Sequence, residues 1–171
     1  MIAERNYLSD PNQVDLLHGT LSGLARMSAI GLGLIVVTNQ SGVARGYFDD
    51  ATLQQINRKM ESLLAEGGVR LDGIFVCPHH PDDGCSCRKP EPGLVLEAAA
   101  RFGFDPAGTY VIGDKASDLE LGRRIGAFTI LVTTGYGTSV PSSVVAEKAD
   151  AVVSGLADAA TVIERCLRAR E

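Results

Sequence analysis

Short apolar runs alternate with stretches of helical periodicity along the whole chain. The run Leu34-Ile35-Val36-Val37 reads as a buried strand, and a helical pattern over 17–30 precedes it. Leu53, Ile56, Met60, Leu63 and Leu64 then recur at helical spacing over 50–66. Asp49 or Asp50 suits the N-cap of that helix, and Gly67-Gly68 ends it. Ile74-Phe75-Val76 predicts the next strand, running straight into Cys77. A helix starts at Pro92-Gly93 and finishes at Gly103. A strand over 109–112, a helix over 117–125 closed by Gly126, and a strand over 128–132 follow. Ala151-Val152-Val153 and a helix from about Leu156 complete the series. Strands alternating with helices predict an α/β, Rossmann-like parallel sheet with helices on both faces, and residues 1–171 read as one domain.

Composition narrows the class without naming an activity. The 171 residues are 45% hydrophobic and 22% charged, a globular balance. Sixteen Lys and Arg against 21 Asp and Glu leave a net charge of −5, which argues against a nucleic-acid surface. No apolar run approaches the roughly 18 residues that span a bilayer. No basic segment followed by an apolar one opens the chain, so the expected location is the cytoplasm, with no membrane partner.

Three of the four cysteines are clustered. Cys77-Pro-His79-His80-Pro-Asp-Asp-Gly-Cys85-Ser-Cys87 offers three thiolates and an imidazole, the donor set of a tetrahedral Cys₃His zinc site. His79 shares an i, i+2 register with Cys77 and is preferred as ligand, with His80 the alternative. Gly84 and the prolines suit an irregular loop, and the zinc-binding stretch covers about 77–90. Cys166, alone in the last helical pattern, reads as an ordinary helix residue.

In parallel sheets, ligands bind beyond the carboxyl ends of the strands. Three polar segments fall there. Thr38-Asn39-Gln40-Ser41-Gly42 offers a hydroxyl and successive backbone N–H groups to phosphate oxygens, although a ligand-free turn has the same composition. Arg88-Lys89-Pro90 leaves the zinc loop with a guanidinium fork and an ammonium. Gly113-Asp114-Lys115-Ala116-Ser117-Asp118 sets two carboxylates one helical turn apart, an arrangement able to hold Mg²⁺ or orient its waters.

Together these segments resemble motifs two, three and four of the haloacid-dehalogenase-type phosphatases, and the cysteine knuckle resembles their zinc-containing histidinol-phosphatase branch. The resemblance implies a haloacid-dehalogenase-like fold and a Mg²⁺-dependent phosphomonoester hydrolase acting as a monomer on a sugar phosphate, with histidinol phosphate as the alternative substrate. Thr38 and Lys89 would stabilise the transferring phosphoryl group, Asp114 would hold Mg²⁺, and Asp118 would support that metal indirectly. Asn39, Gln40, Ser41, Arg88 and Lys115 would contact substrate, as would Glu4, Arg5, Asn6 and Tyr7 in an early loop. The zinc on Cys77, His79, Cys85 and Cys87 would be structural, because protein fills all four positions.

One departure stands out. The resemblance calls for Asp-x-Asp at the end of a first, central strand, its first Asp the nucleophile and its second the acid and base. Met1-Ile2-Ala3 would fall just beyond it, so this strand is expected to be absent. Asp49-Asp50, Asp82-Asp83, Asp10 and Asp15 lack the spacing or position to replace it. Its neighbours would then lack ladder partners, at roughly 1–3 kcal/mol for each buried group. The expectation is either a start codon placed too late or a truncated, catalytically dead chain serving as a phospho-ligand or partner-binding protein.

Overall fold

The computed structural model describes residues 1–3, 5 and 7–169. Its elements run α1 (Thr20–Ala29), β1 (Ile35–Asn39), α2 (Asp50–Glu66), β2 (Gly73–Cys77), α3 (Gly93–Phe102) and β3 (Tyr110–Gly113). Then come α4 (Ala116–Ile125), β4 (Phe128–Val132), α5 (Ser142–Lys148), β5 (Ala151–Val153) and α6 (Leu156–Arg168). Local chemistry accounts for the boundaries. The Asp49 carboxylate accepts the Thr52 N–H at 2.8 Å and starts α2, as its sequence predicts. Helix α1 begins three residues later than the helical pattern, after Gly19 in a left-handed conformation. The α5 helix was not expected; Pro141 precedes it, but its Ser-Ser-Val-Val start carries little helix propensity.

All strand pairs are parallel. They form two ladders, β1–β2 and β3–β4–β5, rather than the single sheet the pattern suggests. No ladder joins β1 to β3 among the described residues. The side chains of β1 and β3 are accordingly only half-buried, whereas those of Thr129–Val132 in β4 are buried. Side-chain alternation still covers both faces. Val36 and Ile74 pack with α1, α2 and α6 in a core containing Leu24, Met27, Ile56, Leu64, Ile130 and Ile163. Ile35, Val37, Phe75 and Cys77 turn the other way, against Leu94 and Ala98 of α3. Packing of α1 on α6 is supported by Arg26, which meets Glu164 at 2.7 Å and Thr161 at 3.1 Å. No helix among the described residues is long and apolar enough to cross a membrane.

Residues 1–3 enter along 15–17, with an antiparallel bridge between Ile2 and Leu16, and the Met1 carbonyl accepts from Leu17 N and Thr20 Oγ1. At the opposite ladder, Asp150 locks β5 to β4. One carboxylate oxygen accepts from Thr129 N at 2.7 Å and Thr129 Oγ1 at 3.0 Å, and the other meets Arg123 at 2.9 Å. Burial opposes ionisation, but these Thr129 and Arg123 contacts outweigh it and hold the carboxyl below its ordinary value. The depressed value means that its stabilisation is present above the unfolded carboxyl's pKa, about 4, and is lost as pH falls through the native value. Asp150→Ala is expected to cost about 1–3 kcal/mol at pH 7, because Thr129 N–H loses its buried acceptor. In urea unfolding, the gap between wild type and variant should narrow below pH 4.

Candidate active site

The strand ends bring the three polar segments together through one side chain. Lys89 Nζ donates to the Val37 carbonyl at 2.8 Å and to Asp118 Oδ1 at 2.7 Å. Val37 belongs to β1 and Asp118 to α4, which follows β3, so this ammonium spans the interval between the two ladders. Its side chain is 16% exposed and that of Asp118 is 7% exposed. A buried charge needs a partner of opposite sign, and these two supply it for each other. Asp118 also accepts the Lys115 N–H at 3.0 Å, satisfying a donor in the first turn of α4. Gly113 makes that geometry possible, since a Cβ there would overlap the Asp118 carboxylate.

Thr38 and Asn39 are the last residues of β1, not part of the following turn as the sequence pattern suggests. The Thr38 hydroxyl accepts from Gln40 Nε2 at 3.1 Å, and Ser41 is buried in the turn. Asn39 is the surprise. Its Oδ1 accepts Lys89 N–H at 3.0 Å while its Nδ2 donates to the Lys89 carbonyl at 3.1 Å. Both polar ends of the amide thus hold the Lys89 backbone. Asp114, just past β3, accepts the Tyr136 N–H at 2.9 Å. The Lys115 ammonium lies 4.4 Å from the Tyr136 ring centroid, a cation–π contact. Arg88 is held by the His79 carbonyl at 3.4 Å. Arg5 pairs with Asp15 at 2.7 Å on the surface. Glu4 and Asn6 lie outside the described residues.

The knuckle lies directly upstream of Lys89. Cys77 Sγ is 3.6 Å from both His79 Nδ1 and Cys85 Sγ; Cys87 Sγ is 3.2 Å from His79 Nδ1 and 3.5 Å from Cys85 Sγ. A zinc ion with bonds of ~2.3 Å to sulfur and ~2.0 Å to nitrogen sets tetrahedral edges of roughly 3.5–3.8 Å. The four separations given lie near those edges, and all four donor atoms lie within 4.8 Å of one another, so the cluster suits that ion. His80 instead caps the 3-10 turn Pro81–Asp83, its N–H donating to Asp83 at 2.8 Å. Burial pushes the Cys85 thiol up, but hydrogen bonds with Cys87 and Cys77 outweigh it and bring it down to about 7. Cys87 is pushed up to about 12 by burial and by bonds and charge shared with Cys77 and Cys85. A divalent cation binds such thiols as thiolates, releasing their protons. Cys166 sits in α6, away from the cluster.

Residues 86–159 match a HAD-hydrolase-like family model. The D-glycero-beta-D-manno-heptose-1,7-bisphosphate 7-phosphatase of Bordetella bronchiseptica is 44% identical over 131 residues, which are 77% of this chain and 73% of that one. The chain belongs to the HAD-like phosphatase family. The Photorhabdus laumondii protein of the same name is 35% identical over 164 residues, covering 91% of this chain and 85% of that one. A crystal structure of D,D-heptose 1,7-bisphosphate phosphatase from B. bronchiseptica, complexed with magnesium and phosphate, superposes with a TM-score of 0.84. It is 37% identical, over 95% of this chain and 90% of that chain.

In HAD-like folds, as in parallel sheets generally, ligands bind beyond the carboxyl ends of the strands, where Asn39, Lys89 and Asp114 meet here. Sequence spacing alone leaves the Asn39 clamp invisible, because its partner lies 50 residues away and is a backbone. Tyr136 carries no motif, and only its position after β4 marks it as a strand-end residue.

Two outcomes follow from this geometry. Gly113→Ala should displace Asp118 and loosen Lys89, weakening inorganic phosphate binding about tenfold in a calorimetric titration. Elemental analysis of purified protein should give about one zinc per chain, with Cys85→Ser losing it.

Proposed function

We propose that the chain acts on D-glycero-β-D-manno-heptose 1,7-bisphosphate as a Mg²⁺-dependent phosphatase, releasing the 7-phosphate. The carrying observation is the single ammonium of Lys89, fixed between Val37 and Asp118 at the ends of both ladders. An ammonium has three donors. Two are held by these partners, and the third serves a phosphoryl oxygen. The Thr38 hydroxyl and the backbone N–H groups of the following turn bind further phosphoryl oxygens. Asp114 holds Mg²⁺, its carboxylate oriented by the Tyr136 N–H. Bound there, the cation neutralises charge on the transferring group. Asp118 acts one step away from the metal, by fixing Lys89 and capping Lys115. Lys115 and Arg88 supply cations at the rim for the rest of the substrate. Zinc on Cys77, His79, Cys85 and Cys87 is structural, holding the peptide from which Arg88 and Lys89 project.

The 171 residues contain no Asp-x-Asp, so the attacking carboxylate is not among the groups gathered here. The test compares two forms in Mg²⁺: the 171-residue chain, and the same chain preceded by an apolar strand ending in Asp-x-Asp-Gly. The extended form is expected to release phosphate from the heptose bisphosphate far faster than from histidinol phosphate, and the 171-residue form to bind without hydrolysis. Activity of the extended form on histidinol phosphate alone would overturn the substrate. Robust turnover by the 171-residue form would overturn the claim that it lacks the nucleophile.

A further inference from the structure

Three of the four tyrosines are exposed, and one of them faces a charge. Tyr7 and Tyr47 pack on each other, edge to face, with ring centroids 4.8 Å apart. Tyr136 instead presents its ring to a cation, the Lys115 ammonium 4.4 Å from the centroid. The ring is 37% exposed, so filling the core does not account for its place.

Where that ring stands is fixed by its own backbone. Tyr136 N–H donates to Asp114 Oδ2 at 2.9 Å, and the Tyr136 carbonyl accepts Ser139 N–H at 2.8 Å. Gly135, one residue before, holds φ +58°, and a Cβ there would lie 2.2 Å from that same Oδ2. The turn after β4 is thus folded onto the carboxylate just past β3, and it carries the ring with it.

Lys115 is the residue that this placement constrains. It follows Asp114 directly and is exposed at the start of α4, in extended backbone with φ −127° and ψ 153°. A four-carbon stem in water samples many rotamers, and the carboxylate one residue before is an obvious partner for its ammonium. The ion pair at this end of the sheet joins Lys89 to Asp118, and among the described residues none joins Lys115 to Asp114. The ring face, negative through its quadrupole, offers the ammonium another position that leaves the carboxylate open.

We propose that Tyr136 is a positioning residue, whose ring face fixes the Lys115 ammonium as a rim cation for the phosphate of a bisphosphorylated sugar that is not transferred. This deepens the reading of the site as a sugar-phosphate phosphatase and rests on it. The N–H of residue 136 orients Asp114 and its ring orients Lys115, so one residue sets two adjacent side chains of opposite charge and keeps them apart. The ring touches no reacting atom and takes no part in phosphoryl transfer.

The test is a double-mutant cycle on the 171-residue chain in Mg²⁺, read by calorimetric titration with heptose 1,7-bisphosphate and with inorganic phosphate. Tyr136→Leu removes the ring and keeps the N–H that Asp114 accepts. It should weaken the bisphosphate about 2- to 5-fold, the range of an exposed cation–π contact, and inorganic phosphate far less. Tyr136→Phe keeps the ring face and should bind the bisphosphate as wild type does. In a Lys115→Ala background, Tyr136→Leu should have no further effect. Proton NMR should show the Lys115 side-chain methylenes shielded by the ring in wild type and Tyr136→Phe, and moved downfield in Tyr136→Leu. Equal losses from Tyr136→Leu with and without Lys115 overturn the positioning role and leave the phosphatase reading intact. Bisphosphate affinity unchanged by Tyr136→Leu does the same. Binding of neither phosphate nor bisphosphate to wild type overturns the phosphatase reading, and the proposal with it.

Discussion

The ammonium of Lys89 is the point on which the site depends. It is largely withdrawn from solvent, and a charge in that position is tolerable only with partners that repay its desolvation. Those partners come from opposite sides of the interval between the ladders, the Val37 carbonyl on one and the Asp118 carboxylate on the other. Across that interval no strand-to-strand hydrogen bonds run among the described residues. A polar interaction thus ties the two halves at their carboxyl ends, while apolar packing joins them below, where Val36 and Ile112 share one cluster with Ile130.

Delivering Lys89 to that place is the work of the segment before it. Cys77 ends β2 and is fully buried, so the knuckle starts from a fixed point in the core. The eleven residues 78–88, irregular but for the one turn Pro81–Asp83, would otherwise carry a large conformational entropy. Convergence of Cys77, His79, Cys85 and Cys87 closes this segment on itself, and the Asn39 amide then takes both backbone groups of Lys89. The peptide carrying the lysine is therefore anchored on both flanks by short-range, directional contacts.

Much of this is legible in the sequence where the signal is local. Helix α2 runs over 50–66 as its apolar spacing and the Asp49 cap require. The knuckle can be read from two close pairs of ligands, and i, i+2 spacing separates His79 from His80. Contacts between distant segments are harder to read. Asn39 looks like a substrate contact in the sequence and proves to hold the Lys89 backbone, and Asp118, assigned to support a metal, holds the lysine directly. The pairing of Tyr7 with Tyr47 depends on how one turn coils, which composition does not encode. Division into two ladders is likewise a tertiary fact, since each strand taken alone has an ordinary buried-strand pattern.

The Asn39 clamp has a consequence for how this scaffold can change. Because the amide grips the main chain of residue 89 and not its side chain, β1 and the knuckle behave as one stiff piece of masonry. A displaced knuckle carries the strand end with it, so an alteration in either segment is felt in the other.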